Sequence, residues 1–467
     1  MNKNKQNPKQ NKSADGLPYF RLYINGEWTD GSAPPQTSEN PATGKPWARF
    51  ACAGKEDVAR AVCAARRALT EGAWKEMRAG ARGKLLFRLA DLAESRAREL
   101  GEIETADSGK LAAETISQTR YVAEYYRYYG GLADKIEGAT LPIDKPDMHV
   151  FTLREPVGIV AAVVPWNAQM FLAAAKLAPA LAAGCSVILK ASEIAPCAVL
   201  RFAALLDEAG FPPGAVSVLT GDAKNCAVPL TSHPDIDRIA FTGGTETARE
   251  VVRNSAENFA VTTLELGGKS PVLVFADADL ESAANGLLAG NFGASGQSCV
   301  AGSRGLVARP VMEKLIARIA KKSRGIIVGD PLDAKTQMGP LCTAAQITKI
   351  EKTLAAARLQ GAKIHFGGAR LARPGNYFAP TLAECSDVKT ETMQTEMFGP
   401  VMSVAPFDTE DEAIAMANAG GYGLGAGVFT ENLARAHRVA AKIRAGICWI
   451  NTYRAISPLA PFGGYNL

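Results

Sequence analysis

A cysteine in a loop of small residues is the first candidate for chemistry in this chain. Cys299 lies in the stretch "ASGQSCVAGSR", where Gly296 and Gly302 flank it and Ser298 and Ala301 leave it uncrowded. A cysteine acts as a nucleophile through its thiolate, and its loop has to admit a substrate to the sulfur atom. Free cysteines are most often small buried hydrophobes, and on this stretch alone both interpretations stay open.

A nucleophilic thiol needs a base, and the chain offers a carboxylate rather than a histidine. The four histidines lie outside glycine-rich and strand-end segments: His149, His233, His365 and His437. Glu265 stands instead at the end of the apolar run "VTTLEL", just before Gly267 and Gly268. A glutamate there is costly unless its pKa is raised or it is paired. A solvated or ion-paired strand end is the ordinary alternative to a functional base.

Two further segments carry groups that suit a charged ligand. Asn167 follows the apolar run "VGIVAAVV" and is either a turn former or an amide donor to a developing oxyanion. In "RIAFTGGTETARE", Gly243 and Gly244 separate a strand from a helix whose bare N–H groups attract phosphate. An ordinary strand–helix turn fits the same pattern. "LGGKSP" is no P-loop, because Thr263 occupies the place of the first glycine of that motif.

Apolar runs alternating with amphipathic helical stretches must position these groups. "VGIVAAVV", "CSVILK", "AVSVL" and "RIAFT" read as fully buried strands, with helical segments between them. This pattern predicts an α/β fold with a doubly wound parallel sheet, which binds ligands beyond the carboxyl ends of its strands. A second α/β series follows from "PVLVFA" onward. Other cysteines read as buried, including Cys63 on an apolar helix face, Cys185 and Cys448.

Eight short motifs in order resemble the aldehyde dehydrogenase superfamily: "PWN", "LKASE", "FTGGTE", "LELGGKSP", "GQSC", "EMFGPV", "NTY" and "PFGGY". The resemblance covers the chain from about Tyr23 to its end. It implies oxidation of an aldehyde to a carboxylic acid with NAD+. In this scheme Cys299 forms the thiohemiacetal and thioester, Asn167 and the Cys299 N–H hold the oxyanion, and Glu265 activates water. It also implies a NAD-binding lobe, a catalytic lobe and a small bridging β arm.

The resemblance also assigns the cofactor and substrate contacts. Cofactor-binding positions fall on Pro165, Trp166, Lys190, Ser192, Glu193, Gly243, Gly244, Glu396 and Phe398. Glu193 favours free ribose hydroxyls over a 2′-phosphate, so NAD is expected over NADP. Arg454 and Phe462 are the substrate candidates. Arg454 reads either as a ligand for a substrate anion or as a surface arginine.

Three positions depart from the usual family pattern, and so does the end of the chain. Ala248 stands where a glycine is common, and Ala168 and Ala175 stand where aromatic side chains are common in small-aldehyde enzymes. The substrate pocket is therefore expected to be roomy. The chain stops at "PFGGYNL", where family members continue with a turn, a helix and an oligomerisation strand. We therefore expect a C-terminally truncated member, with a catalytically impaired paralogue that at most binds nucleotide as the alternative.

The predicted organisation follows from these assignments. We expect a disordered tail over residues 1–16, a NAD-binding domain over 17–137 and 155–264, a bridging and oligomerisation arm over 138–154, and a catalytic domain over 265–467. The family implies a homodimer or homotetramer, which the expected truncation puts in question.

Composition limits the partners. The 467 residues carry a net charge of +5, with no arginine-rich block interleaved with aromatics, so nucleic acid is not an expected partner. No apolar run suits a membrane span. Nine cysteines without a CxxC pair predict reduced thiols in a cytoplasmic protein and no metal site. The partner that the family resemblance implies is a small-molecule aldehyde.

Overall fold

The computed structural model describes residues 11–466, and the apolar runs of the sequence form its central strands. The strands are β1 (Asn11–Lys12), β2 (Pro18–Phe20), β3 (Leu22–Ile24), β4 (Glu27–Thr29), β5 (Ala33–Asn40), β6 (Lys45–Cys52), β7 (Thr140–Leu141), β8 (Val150–Phe151), β9 (Ile159–Val163), β10 (Ser186–Ala191), β11 (Val216–Thr220), β12 (Arg238–Thr242), β13 (Val261–Glu265), β14 (Pro271–Val274), β15 (Arg304–Ala308), β16 (Lys363–Phe366), β17 (Thr381–Glu384), β18 (Val401–Phe407), β19 (Tyr422–Gly423), β20 (Gly425–Phe429), β21 (Ile447–Ile450) and β22 (Tyr465–Asn466).

Amphipathic and apolar helices connect these strands. The helices are α1 (Lys55–Thr70), α2 (Gly72–Lys75), α3 (Ala79–Ser95), α4 (Ala97–Ser108), α5 (Ala112–Leu132), α6 (Gln169–Ala183), α7 (Cys197–Ala209), α8 (Val228–Thr231), α9 (Thr245–Ser255), α10 (Leu280–Phe292), α11 (Arg309–Ser323), α12 (Ala344–Leu359), α13 (Glu391–Gln394), α14 (Glu410–Asn418) and α15 (Leu433–Lys442). Gly184 and Gly210 end α6 and α7 in the left-handed conformation, which glycine adopts without a Cβ clash.

The chain divides into two compact units. The first unit comprises the chain up to Glu39, Pro46–Asp107 and Thr115–Leu264, and the second comprises Asn40–Lys45, Ser108–Glu114 and the chain from Glu265 onward. The predicted domain boundary between residues 264 and 265 coincides with the main division. The short segments at 40–45 and 108–114 belong instead to the second unit.

The first unit contains a seven-stranded sheet in the order β13-β12-β9-β10-β11-β3-β4. Its centre is parallel, and β9, β10 and β11 are buried along their whole length. The chain runs from β9 outward to β10 and β11 and then returns to place β12 on the other side of β9. The strand order therefore reverses beside β9, which is where a doubly wound sheet opens a crevice for ligands.

The second unit contains another seven-stranded sheet, in the order β16-β17-β18-β15-β14-β20-β21. All its neighbouring pairs are parallel except β16 with β17. Buried apolar side chains of β14, β15 and β18 pack against α10 and α11 on one face. This sheet is the frame for the loop of Cys299, because that loop joins α10 to β15. The α/β fold predicted from the sequence is confirmed.

Some local predictions meet a different outcome. Of the expected tail, residues 1–10 lie outside the described residues, but Asn11–Lys12 pair antiparallel with β2, so disorder does not hold for residues 11–16. The predicted arm contains the paired strands β7 and β8. All nine cysteines are free, and Cys185 is buried as expected, but Cys448 is only half-buried. Cys63 is exposed, so its predicted burial was wrong. Its neighbours Val62 and Ala64 on α1 are buried, whereas the side chain of Cys63 faces solvent.

Candidate active site

The loop that carries Cys299 begins with three successive residues in the left-handed region. Ala294 and Ser295 have φ angles of 51° and 55°, and Gly296 follows with 75°. Only glycine adopts this conformation without a steric cost, which is of the order of 1–2 kcal/mol for each other residue. Contacts from the surrounding structure must therefore hold the first two residues in place.

Distant segments of the second unit supply those contacts. The N–H of Ala294 donates to Oε1 of Glu114 at 2.9 Å, and Oγ of Ser295 donates to the carbonyl of Gly339 at 2.8 Å. Reasoning from the sequence missed Glu114, because an acidic residue in the first turn of a helix is a common feature of α-helices. The loop is fixed from two sides before it reaches the cysteine.

Cys299 is half-buried at the edge of a small apolar cluster. Val300, Leu424 and Trp449 form the buried part of this cluster, and Cys299 and Phe462 both pack against it. The structure thus brings the predicted nucleophile and one predicted substrate contact to the same apolar surface. A thiol in this position combines partial access with an apolar wall for a substrate.

The electrostatic surroundings keep the thiol protonated. Burial, followed by the charges of Glu396 and Glu265, raises the pKa of Cys299 to about 12. The backbone N–H groups of Val300 and Cys299 act in the opposite direction, because they hydrogen-bond the sulfur atom. The site therefore places two carboxylates and two backbone donors around one sulfur atom.

Glu396 lies directly against the glycine pair that follows Glu265. Its Oε1 accepts a hydrogen bond of 3.0 Å from the N–H of Gly268, and a Cβ at Gly267 would lie 2.3 Å from its Oε2. Burial raises the pKa of Glu396, against the hydrogen bond from Gly268 and the charge of Lys349. Glycine is required here by the close approach of a carboxylate.

Three segments far apart in the sequence meet around Glu265 and Cys299. A Cβ at Gly268 would lie 2.1 Å from the carbonyl oxygen of Cys299, and one at Gly463 would lie 3.3 Å from Oε1 of Glu265. The predicted residues Cys299, Glu265, Glu396 and Phe462 are therefore neighbours within the second unit.

Lys269, next to these groups, is a feature that the sequence did not reveal. Its side chain is 3% exposed, and its Nζ has no hydrogen-bond partner among the described residues. Burial and the nearby charge of Arg304 lower the pKa of Lys269 to about 7, against the charge of Glu396. The sequence showed this lysine only as part of a failed P-loop pattern.

In the first unit, the carboxyl ends of three parallel strands bring the other predicted residues together. Lys190 of β10 and Phe241 of β12 both stand in register with Val163 of β9. The side chain of Lys190 is almost fully buried, and its Nζ lies 2.8 Å from Oε2 of the half-exposed Glu193. The residues that follow the strands, including Gly243, therefore share one edge of the sheet.

This edge fits a dinucleotide. Helix α9 begins after Gly244 without a side-chain cap, and a Cβ at Gly244 would meet no atom within 4 Å. Oγ1 of Thr242 is buried and has no hydrogen-bond partner among the described residues. Bare helix N–H groups, open space and an unused hydroxyl are the features that receive a pyrophosphate.

The model of the aldehyde dehydrogenase family matches residues 28–467. The chain belongs to the aldehyde dehydrogenase family. A curated relative from Acinetobacter baylyi is 54% identical over 449 residues, which are 96% of this chain and 92% of the relative. That relative is a (Z)-2-((N-methylformamido)methylene)-5-hydroxybutyrolactone dehydrogenase.

Solved structures of the same family share the fold closely. Betaine aldehyde dehydrogenase from Staphylococcus aureus, in complex with NAD+, is 37% identical with a TM-score of 0.94, over 96% of this chain and 89% of that chain. The NAD+ complex of an aldehyde dehydrogenase from Bacillus cereus is 38% identical with a TM-score of 0.94, over 96% and 91%.

These comparisons correct one expectation. The chain spans 92% of the length of its curated relative and about 90% of the solved family members, which gives no support to a C-terminally truncated member or to the alternative of an impaired paralogue. The last described strand, β22, pairs antiparallel with β19 of the same chain.

The remaining predicted residues occupy loops and turns. In the first unit, Asn167 is 8% exposed in the turn between β9 and α6, after the half-buried Pro165 and Trp166. Ser192 accepts a hydrogen bond from the N–H of Ile194 through Oγ at 3.3 Å. Asn167 belongs to the first unit and Cys299 to the second, and their joint action stays a prediction.

Within the second unit, two further predicted residues have left-handed backbones. Phe398 has a φ of 52° and Arg454 a φ of 69°. Nη1 of Arg454 donates to the carbonyl of Ala289 at 3.0 Å, in the last turn of α10. The backbone N–H of Gly293 donates to the same carbonyl, so the guanidinium adds a second donor at the end of α10. Arg454 therefore has a structural partner, and contact with a substrate anion stays a prediction.

The alanines that depart from the usual pattern fit their positions. Ala248 is 2% exposed within α9, so its methyl group is part of the buried face of this helix. Ala168 and Ala175 are half-buried, one before α6 and one within it.

Among the described residues, no helix is long and apolar enough to cross a membrane.

Proposed function

We propose that this chain oxidises an aldehyde to a carboxylic acid with NAD+, through an acyl group carried on Cys299. The observation that carries the proposal is the convergence on one half-buried thiol of Glu265, Glu396 and the backbone N–H groups of Val300 and Cys299. The chain's own residues supply a nucleophile, a carboxylate base and hydrogen-bond donors, which are the parts that acyl transfer requires.

Attack begins when the Cys299 thiol releases its proton to solvent water and the sulfur bonds to the aldehyde carbon. The carbonyl oxygen becomes an oxyanion, which the N–H of Cys299 and the amide of Asn167 stabilise by hydrogen bonds. When bound, NAD+ supplies the acceptor for the hydride that leaves this carbon, after which the acyl group remains on Cys299 as a thioester. Glu265 then takes a proton from water, the water oxygen attacks the thioester carbon, and the carbon–sulfur bond breaks. The products are the carboxylic acid and the Cys299 thiolate, and Glu265 returns its proton to that thiolate or to solvent.

The cofactor proposal assigns Lys190, Glu193, Gly243 and Gly244 to the adenosine and pyrophosphate parts, and Glu396 and Phe398 to the nicotinamide end. Pro165, Trp166 and Ser192 complete the predicted set. The ion pair between the buried Lys190 and the half-exposed Glu193 supports a preference for NAD, because the Glu193 carboxylate repels a 2′-phosphate. The Glu193→Gln variant should raise kcat/KM with NADP+ relative to NAD+, and an unchanged ratio would contradict this assignment.

Turnover tests the nucleophile. The purified chain should reduce NAD+ in the presence of an aldehyde, and Cys299→Ala should abolish the reaction. Cys448→Ser is the matched control, because Cys448 is also half-buried but lies within β21. Full turnover by Cys299→Ala would overturn the proposal.

The base has a separate signature. Glu265→Gln should lower the steady-state rate at least about a hundredfold. Hydride transfer should still occur once per site, so a burst of NADH and an acylated Cys299 peptide should be detected by mass spectrometry. A loss of both the burst and the turnover would place Glu265 in an earlier step than hydrolysis.

For the substrate class we propose aldehydes that carry a carboxylate. The relative from Acinetobacter baylyi is named for a 5-hydroxybutyrolactone. Such a hydroxylactone is the ring-closed form of a 4-oxobutanoic acid, whose open form presents an aldehyde and a carboxylate. Ala168 and Ala175 leave room for a branched substrate, and Arg454 is the candidate for contact with the carboxylate.

Matched substrates test this class. The value of kcat/KM for 4-oxobutanoate should exceed that for butanal, which has the same chain length without the charge. Arg454→Ala should raise KM for 4-oxobutanoate alone, and Arg454→Lys should restore part of the loss. An equal effect on both aldehydes would assign Arg454 only to the end of α10.

Two further proposals concern the setting of the reaction. We place it in the cytoplasm, supported by nine cysteines that form no disulfide.

We also propose a homo-oligomer held by the arm of β7 and β8, because Met148 and Leu153 of this arm are 61% and 74% exposed. Sedimentation analysis of the full chain tests the assembly, and a monomer at all concentrations would overturn it.

A further inference from the structure

One cavity of the first unit is formed by residues other than those predicted to bind the cofactor. It has a volume of about 930 Å³ and is lined by residues of β2, β4, β6, α4 and α7 and by residues next to them. Pockets for small molecules have volumes of about 300–1,000 Å³. None of the residues assigned to catalysis, cofactor or substrate lines it.

Four aromatic side chains form one part of the lining, and we call the space the aromatic cavity after them. Tyr19, Phe20, Trp28 and Trp47 are all half-buried. The rings of Phe20 and Trp47 lie 5.9 Å apart between centroids, inclined by 60°. Large aromatic surfaces left open to solvent usually mark a binding site.

Hydrogen bonding and packing hold these rings in place. Nε1 of Trp47 donates to Oγ of Ser38 at 2.9 Å, and the Trp28 ring packs on Tyr23 at 5.2 Å between centroids. Leu200, which is 1% exposed, adds an apolar surface to the lining. Fixed rings and a rigid apolar base bind a flat molecule with little loss of side-chain entropy.

The polar part of the lining contains four arginines, two glutamates and one serine, so its basic groups outnumber its acidic ones: Arg21, Arg96, Arg98, Arg201, Glu99, Glu102 and Ser95. Each of the four arginines already pairs with a carboxylate, at distances of 2.8, 3.2, 3.1 and 2.6 Å respectively. Because a guanidinium has five N–H donors, such a pair fixes the group and leaves other donors for a ligand.

Arg201 has a donor that folding leaves unused. Its Nε donates to Oε1 of Glu99 at 2.6 Å, but its Nη1 is buried and has no hydrogen-bond partner among the described residues. A buried donor without an acceptor costs about 1–3 kcal/mol. An anionic oxygen that enters beside Arg201 would supply the missing acceptor.

We propose that the aromatic cavity is a second binding site, for an aromatic anion: a flat ring that bears a carboxylate, sulfonate or phosphate. The rings of Trp47 and Phe20 contact the flat part, and Arg201 binds the anionic group. The inference is independent of the proposed oxidation, because it uses no residue of that site.

The experiment uses 8-anilino-1-naphthalenesulfonate as the anionic probe and the uncharged N-phenyl-1-naphthylamine as its counterpart. Both fluoresce when bound, and saturating NAD+ is added so that the nucleotide site of the full chain is filled. The wild type should bind the sulfonate saturably at one site, at least about tenfold more tightly than the uncharged probe.

Two variants assign the contacts. Arg201→Gln should weaken the sulfonate at least about tenfold and leave the uncharged probe unchanged, whereas Trp47→Leu should weaken both. Arg253→Gln is the control, because Arg253 is an exposed arginine of α9 outside the cavity. Thermal unfolding confirms that each variant is folded.

Three results would overturn the proposal. The first is equal affinity for the two probes, and the second is sulfonate binding that Arg201→Gln does not change. The third result combines two measurements: the wild type binds neither probe, and Trp47→Leu changes the sedimentation coefficient. That combination would mean that a second copy of the chain covers the cavity.

Discussion

In the chain without substrate, Cys299 should react with alkylating agents far more slowly than an ordinary thiol. Its pKa is about 12, against an ordinary value of 9.0. At about pH 8 such a thiol is ionised in roughly one molecule in 10,000, compared with roughly one in ten for an ordinary cysteine. Only the thiolate is alkylated, so the rate should be about a thousandfold lower.

Peptide mass spectrometry after timed iodoacetamide treatment measures this rate. Cys63 is the internal reference, because it is exposed on α1 in the same chain. From about pH 7 to pH 10.5 the alkylation of Cys299 should rise about tenfold per pH unit without reaching a plateau. A plateau below about pH 9.5 would refute the argument that burial and two carboxylates hold the proton on sulfur.

A variant separates charge from burial. Glu265→Gln removes one of the two carboxylates that raise the pKa of Cys299 and should therefore increase its alkylation at fixed pH. Glu281→Gln is the matched control, because this exposed glutamate pairs with Arg318 and Lys322 instead. Equal rates in the wild type and in Glu265→Gln would assign the whole effect to burial.

Three further predictions concern stability and cofactor binding. The folded chain releases the Lys269 proton near pH 7 and the unfolded chain near pH 10.5, so the wild-type free energy of unfolding should rise between these values. The gain in free energy of unfolding from Lys269→Met, measured by urea denaturation, should be largest near pH 6 and shrink by about 1.4 kcal/mol per pH unit above about pH 7, and a constant gain would contradict this. Gly267→Ala places a Cβ against Glu396 and should raise KM for NAD+ at least about tenfold with an unchanged melting temperature; an unchanged KM would remove Glu396 from cofactor binding. Arg304→Met removes a donor from the carbonyls of Met416, Ala417 and Ala419, of which the first and third keep another donor, and should cost about 1–3 kcal/mol in urea unfolding; no measurable cost would contradict that role.

The sequence predicted the sheets well because parallel strands buried on both faces are almost continuously apolar. The boundaries of β12 are the same as those of the predicted run "RIAFT". Cys299 and Glu265 could be singled out because the cysteine lies in a loop of small residues and the glutamate ends an apolar run before two glycines. Glu114 could not be predicted, since 180 residues separate it from the loop that it holds.

The error at Cys63 has a local cause, whereas the burial of Lys269 depends on distant segments. On α1, Cys63 lies one position beyond Val62, and a helix turns by about 100° per residue, so a neighbour of a core position points elsewhere. The burial of Lys269 depends on the packing of several strands and loops, which a pattern in one segment does not reveal.

The left-handed residues Ala294 and Ser295 have a consequence for transplanting this chemistry. Their conformation depends on Glu114 and Gly339, which lie on other segments of the second unit. A synthetic peptide with the sequence of this loop, or a graft of it onto another scaffold, would relax to ordinary backbone angles and lose the placement of the sulfur. The reactivity of the thiol thus belongs to the tertiary structure and cannot be carried away as a linear motif.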